Sequence, residues 1–293
     1  MKRDNRVCLI CRPKNRTIYF HVDEKTGLPW LWCNKCNRGY SLQQYCEIAD
    51  ISIEQLMADG GIEVSDSNNT EINAMAWPSR FVPLSDPRAE AGVEYVKSRG
   101  LNLDGDMYYD LDNNGIVFPY YYDNHFCGAQ VRFIEERVNE DGSSWKITTL
   151  PGTKLGLLFY GWNQSKLFPQ VKGIIVTEGA FNALALQQAL VSAYSNISNC
   201  PWRVFALSGS GVSTHQAEVL RELKEKGYKV VAAPDTDEAG IKMYQKLYEA
   251  DAITHYAFSD VGLDWNDQLK ARGFKDLAKY FISCITMAHV DKK

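Results

Sequence analysis

The 293-residue chain carries 32 lysine and arginine against 36 aspartate and glutamate residues, a formal charge of −4, with 45% hydrophobic and 12% aromatic residues. That apolar content is ample for packed cores and excludes disorder throughout, while the length accommodates one large domain or two to three small ones. No apolar run approaches the roughly 18 residues of a bilayer span, and Met1-Lys2-Arg3-Asp4 opens no apolar signal segment, so a soluble, cytoplasmic protein without a membrane partner is expected.

The charge is unevenly spread. Residues 1–46 hold nine basic side chains against three acidic ones, a balance of +6, whereas residues 47–76 carry seven acids and no base. A basic N-terminal module beside an acidic connector points to a polyanionic partner for the first. Within it, Cys8-Leu9-Ile10-Cys11 and Cys33-Asn34-Lys35-Cys36 form two Cys-x-x-Cys knuckles about twenty residues apart. Each knuckle can turn two thiolates toward one ion, and four complete a tetrahedral Zn²⁺ site. Thr17–Val22 and Leu28–Trp32 alternate as strands do around a Thr26-Gly27 turn. Residues 1–58 are therefore expected to form a zinc ribbon that needs its metal to fold. His21, Trp30, Trp32 and Tyr40 either stack on template bases or make up the small core of the ribbon. The other four cysteines, Cys46, Cys127, Cys200 and Cys284, lack partner spacing and read as small buried apolar residues.

Ser41 to Met57 reads as a helix closing the ribbon. Residues 59–76 open on Asp59-Gly60-Gly61, are rich in Ser, Asn and acids, and read as a flexible acidic linker. In residues 77–170, Arg88 to Arg99 has helical spacing and stops at Gly100. Gly115–Tyr122 and Gly128–Phe133 read as a hairpin around Asp123-Asn124, with Ser144–Gly152 and Leu157–Gly161 following. By composition this is an antiparallel sheet with a few cations, and Arg132 and Lys146 are either functional or exposed strand-face charges.

Residues 171–272 change character, with apolar runs of strand length alternating with helices. Ile174-Ile175-Val176 leads into Thr177-Glu178-Gly179, and Val230–Ala233 leads into Pro234-Asp235-Thr236-Asp237. In an open parallel sheet the loops at strand carboxyl ends converge on one crevice, which would gather Glu178, Asp235 and Asp237. On extended backbone Asp-x-Asp sends both side chains to the same side. Crowded carboxylates repel unless a cation sits among them, and oxygen-only ligands suit Mg²⁺ or Mn²⁺. The competing reading is that Asp235 and Glu238 cap the following helix. Val204–Gly211 is a strand running into a small-residue turn, Ser208-Gly209-Ser210-Gly211, whose N–H groups can hold a phosphate. Asp264, with Asp267 behind it, is a further metal carboxylate or a cap for a helix starting near Gln268. Residues 273–293 read as a last helix and tail. No Gly-x-x-x-x-Gly-Lys-[Ser/Thr] pattern occurs, so no fused P-loop helicase is expected.

Val176-Thr177-Glu178-Gly179 together with Asp235-Thr236-Asp237-Glu238-Ala239-Gly240 resembles the Toprim signature of DnaG-type primases and topoisomerases. Gly115-Ile116-Val117-Phe118-Pro119, then Gly128 to Arg132, then Lys146 with Pro151-Gly152-Thr153 and Leu158-Phe159-Tyr160-Gly161, resembles in order the first half of the DnaG RNA polymerase domain. The two cysteine knuckles resemble the ribbon with which such primases begin, in the all-cysteine form of podovirus primase–helicases. Thr149-Leu150 departs from the family's Asn-Ser, and Leu263 stands where many relatives have lysine.

The resemblance implies an α/β fold with an α+β N-terminal half: zinc ribbon, linker, a mixed-sheet subdomain and a Toprim subdomain. It implies a DNA-dependent RNA primase, phage-encoded, joining ribonucleoside triphosphates on single-stranded DNA. Zn²⁺ would sit on Cys8, Cys11, Cys33 and Cys36, and catalytic Mg²⁺ or Mn²⁺ on Glu178, Asp235, Asp237 and Asp264. Arg132 and Lys146 would face template and nucleotide, Gly179, Ser208 and Gly209 the phosphates, and His21, Trp30 and Trp32 the template. A separate replicative helicase and DNA polymerase would be partners. Of the rival readings, a type IA topoisomerase needs a catalytic tyrosine in a long gated domain, and a Toprim nuclease has no use for the ribbon. A non-catalytic DNA-binding module does not need the intact set of acids.

Overall fold

The computed structural model describes residues 18–22, 29–33, 38–41, 72–138, 142, 144–162, 170–208 and 211–287. Two compact units divide between Glu71 and Ile72. Residues 72–76, expected in the linker, fall in the second unit, where the Met75 N–H donates to the Phe126 carbonyl at 2.7 Å.

In the first unit, β1 (Ile18–Val22), β2 (Pro29–Cys33) and β3 (Arg38–Ser41) pair antiparallel in that order. The first two are the expected hairpin. The third takes Ser41, which the pattern had placed in a helix. Leu31 and Tyr40 are partners across β2 and β3 and both are buried, so Tyr40 belongs to the core. Cys8, Cys11 and Cys36, the metal site they would form with Cys33, and the expected helix beyond Ser41 lie outside the described residues.

The second unit holds two sheets. The first joins β4 (Phe81–Pro83), β5 (Tyr108–Asp110), β6 (Gly115–Tyr122), β7 (His125–Val138) and β8 (Ser144–Thr149) in sequence order, antiparallel throughout rather than mixed. Helix α1 (Glu90–Ser98) connects β4 to β5. Strand alternation assigns the faces. Ile116, Phe118 and Tyr120 pack into the main core, while Val117, Ala129, Val131 and Phe133 form a smaller one on the other side. Asp123 and Asn124 both take positive φ, 49° and 63°, the backbone of a two-residue turn that matches strand twist. A Cβ at Gly128 would meet Thr153 Oγ1 at 2.2 Å, so the Pro-Gly-Thr segment lies directly against β7. There Thr153 accepts the Ala129 N–H at 3.2 Å.

The second sheet is wholly parallel, in the order β10 (Trp202–Ala206), β9 (Gly173–Thr177), β11 (Lys229–Ala232), β12 (His255–Tyr256). Helix α2 (Ala180–Ala193) leads from β9 to β10 and lies in the main core. On the opposite face lie α3 (Thr214–Glu225) and α4 (Glu238–Glu249). Ten of the 14 residues of α2 are buried, because α5 (Trp265–Arg272) and α6 (Phe274–Met287) cover it. The neighbours β9 and β11 are thus followed by helices on opposite faces, and that divergence leaves a crevice at their carboxyl ends. Among the described residues no helix is long and apolar enough to cross a membrane.

Candidate active site

Glu178 directly follows β9, and Asp235 is the third residue after β11, so the crevice receives both. Glu178 Oε1 accepts the Asp235 N–H at 3.2 Å, which sets the two acids side by side. Together with Asp264 they line a cavity of about 450 Å³. The antiparallel sheet supplies another wall through Phe118, Gln130, Arg132, Ile147 and Thr149, and Arg99, just past α1, joins it. Acids on one wall therefore face two guanidinium side chains.

Burial, then the charges of Glu178, Asp264 and Asp237, push the Asp235 carboxyl up to about 7, against a lowering hydrogen bond from Asn182. Glu178 is also raised, by burial first and then by Asp237, while the Asp235 N–H acts the other way. Carboxylates raised by burial and by neighbouring acids are short of positive charge.

Asp237 is not placed as its spacing suggests. The period-of-two argument needs extended strand, and β11 has ended at Ala232. Asp237 is the N-cap of α4 instead: its Oδ1 accepts the Gly240 N–H at 2.8 Å, and the residue is exposed. The cap is thus neither Asp235 nor Glu238. Among the described residues no three Asp, Glu, His or Cys side chains are gathered closely enough to hold an ion. Asp237 is absent from the cavity lining, although its charge raises both Asp235 and Glu178. The cap reading of Asp264 holds, since its Oδ1 accepts the Asp267 N–H at 2.6 Å at the start of α5, and the residue also lines the cavity. Because Asp264 caps there, α5 starts at Trp265, three residues earlier than expected.

Gly179 is the N-cap of α2, lines the cavity and carries no side-chain cap, so the first turn of that helix offers N–H groups at its positive end. Ser208 also lines the cavity, in left-handed backbone at φ 56°. Its N–H is already engaged, donating to the Glu178 carbonyl at 2.9 Å, and so is not the free phosphate donor expected. Its hydroxyl lies beside that of Tyr120 without a partner at hydrogen-bond geometry. Gly209 lies outside the described residues. Arg132 lines the cavity, and its Nε, like that of Arg99, has no hydrogen-bond partner among the described residues. Buried donors of this kind favour an anionic partner. The Arg99 guanidinium lies over the Phe181 ring at 4.8 Å. Lys146 is exposed and pairs with Glu136 at 3.5 Å, outside the cavity lining.

Asn182 carries no motif. Asn182 Nδ2 donates to both Asp235 oxygens, at 3.1 and 3.0 Å, and its Oδ1 accepts the Asn266 N–H at 3.2 Å. Asn266 Nδ2 in turn donates to the Arg99 carbonyl at 2.8 Å. A lone amide in a first turn otherwise of alanine and phenylalanine is the signal that could have found Asn182, since buried polar groups need partners. The glycine of the Asp-x-Asp-x-x-Gly pattern is explained by contact: a Cβ on Gly240 would fall 2.0 Å from the Asp235 carbonyl oxygen and 2.7 Å from Glu178 Oε1. Trp265 is fully buried, packs edge-on against Phe281 at 5.1 Å and donates from Nε1 to the Ala233 carbonyl, anchoring the loop before Asp235.

Residues 175–269 match the Toprim-like family model, which places the crevice within a Toprim-like domain. The wider fold is that of DnaG-type primases. The RNA polymerase domain of Mycobacterium tuberculosis primase DnaG is similar at a TM-score of 0.52 and 13% identity, over 71% of this chain and 79% of that one. The same domain in complex with a double-stranded DNA oligomer bearing a 6-nucleotide overhang gives 0.50 and 14%, over 69% and 75%. The primase fragment of the Bacteriophage T7 primase–helicase gives 0.40 and 15%, over 92% and 95%. No curated protein matches the sequence significantly.

Proposed function

We propose that the protein is a DNA primase, a nucleotidyltransferase that joins ribonucleoside triphosphates on a single-stranded DNA template. The observation that carries this reading is Glu178 beside Asp235 at the tips of neighbouring parallel strands, sharing one cavity with Arg99 and Arg132. Primer synthesis joins a 3′-hydroxyl to an α-phosphate and releases pyrophosphate, so negative charge builds on phosphate oxygens. The two guanidinium groups supply donors for those oxygens, and Arg suits bidentate phosphate contacts. The first turn of α2, from Gly179, adds backbone N–H groups. Lys146, on the exposed edge of β8, would meet template phosphate from outside the cavity.

The carboxylates fit a hard divalent cation. They offer only oxygen and are half-buried, and Asp235 and Glu178 are both raised by burial and by neighbouring acids. A pair with a third at its side, rather than a cage, suits Mg²⁺ or Mn²⁺, which keep waters and take further oxygens from substrate phosphates. Glu178 and Asp235 would hold the ion, with Asp264 and Asp237 adding their charges from the helix caps. When bound, such an ion lowers the pKa of a hydroxyl and neutralises phosphate charge.

The four thiols of Cys8, Cys11, Cys33 and Cys36 have the donor chemistry of a structural Zn²⁺ site. The ribbon they would hold, with His21, Trp30 and Trp32, would select the template start. A separate replicative helicase and DNA polymerase would open the duplex and extend the primer, and the all-cysteine ribbon favours a phage-encoded system. The test is incubation of the purified protein with varied single-stranded templates, labelled ribonucleotides and Mg²⁺ or Mn²⁺. Short oligoribonucleotides are expected, and none with Asp235→Ala. No product on any template with either metal overturns the reading.

A further inference from the structure

Asn182 is 6% exposed, in the first turn of a helix of which ten of 14 residues are buried. An amide buried there is costly unless it is satisfied, and both ends of its side chain are hydrogen-bonded. Its Nδ2 reaches both oxygens of Asp235, and its Oδ1 takes the N–H of Asn266, the second residue of α5. Asn266 continues the line to the carbonyl of Arg99. The chain Asp235–Asn182–Asn266–Arg99 therefore ties the tip of β11, the first turn of α2, the start of α5 and the end of α1 around the cavity. Asp235 is held twice, its N–H by Glu178 and its carboxylate by Asn182.

We infer that Asn182 is a positioning residue. It holds the Asp235 carboxylate in the cavity-facing conformer before any cation arrives, and so raises the affinity of the site for the ion. The inference rests on the cation reading given above. The amide is the suitable group for the task. An aspartate of the same shape could not donate to Asp235 and would repel it, and an alanine would leave the carboxylate free to turn. Partners that orient a metal ligand without touching the metal typically contribute about 10–100-fold in affinity.

The experiment is a two-residue cycle read by direct binding, with neither template nor nucleotide present. Metal-free protein is titrated with Mn²⁺, free ion being measured by electron paramagnetic resonance, and thermal melting checks each variant for folding. Asn182→Ala should weaken Mn²⁺ binding about tenfold in the native background. In an Asp235→Ala background it should change nothing further, because the residue acts only through that carboxylate. Equal losses in both backgrounds, or no loss in either, overturn the inference. Should Asn182→Ala fail to fold, Asn182→Leu, of similar volume and unable to donate, serves instead. Mn²⁺ should raise its melting temperature by less than that of the unaltered chain, because the weaker site is filled less. An equal or larger shift overturns the inference. If the unaltered protein takes up no Mn²⁺, the cation reading itself fails and this inference falls with it. If it takes up Mn²⁺ and the Asn182 variants do so equally well, only the inference fails.

Discussion

The two sheets of the second unit build walls of one cavity by different means. In the parallel sheet, β9 is buried along its whole length and β11 along all but its first residue. Their side chains are consumed by packing, so the polar groups appear only where the strands stop, at Glu178 and Asp235. In the antiparallel sheet one strand face remains partly open, and Gln130, Arg132, Ile147 and Thr149 line the cavity from within β7 and β8. Acids, whose charge is penalised by burial, sit at tips where backbone and amide N–H groups meet them. Of the two cations, Arg132 comes from a face of β7 and Arg99 from the end of α1.

That division of labour can be broken or sharpened by substitution. Asp235→Ala should have the largest effect, lowering nucleotide incorporation about a thousandfold, because it removes a charge that acts on the phosphate throughout the reaction. Single-turnover incorporation measures it. Next comes Gly240→Ala, whose added methyl would drive the Asp235 backbone away from Glu178. It should destabilise the fold by about 1–3 kcal/mol in a denaturant melt and reduce incorporation along with it.

A smaller effect concerns pH. Folding raises the Asp235 carboxyl from its ordinary 3.8 to about 7, and Glu178 moves the same way. The folded chain therefore binds these protons more tightly than the unfolded one. The stability they contribute is present at low pH and is lost as pH rises toward 7. Melting of metal-free protein should show that fall between pH 4 and 7 relative to Asp235→Asn, in which it is reduced. A difference of opposite sign would mean that the acids are paired with cations in the folded state.

On the other wall, Arg132→Ala should raise the apparent KM for nucleotide about tenfold, the order expected for one charge-assisted phosphate contact. Lys146→Ala, outside the cavity and paired with Glu136, should change it by less than about twofold. If Arg132 cost as much as Asp235, or Lys146 as much as Arg132, the contrast between the walls would be wrong.

Much of this architecture is legible along the chain because it is local. Apolar runs ending on Glu178 and before Asp235 announce buried parallel strands. The Asp123-Asn124 turn sets the hairpin, and Ser213 with Gln216 closes the capping box of α3. The same local logic did not give Asp237 its cap role, since an N-cap residue keeps the extended backbone on which Asp-x-Asp is read. β4 and β5, three residues each, are too short to leave a period.

The residues alone settled where polar groups leave the buried strands, because strand length, turn chemistry and helix starts are matters of near neighbours. They could not settle who meets whom. Asn182 finds Asp235 across 53 positions, and Asn266 finds Arg99 across 167. Those partnerships exist only because α2 and α5 pack against each other beneath two sheets, and no periodicity records a contact made by packing.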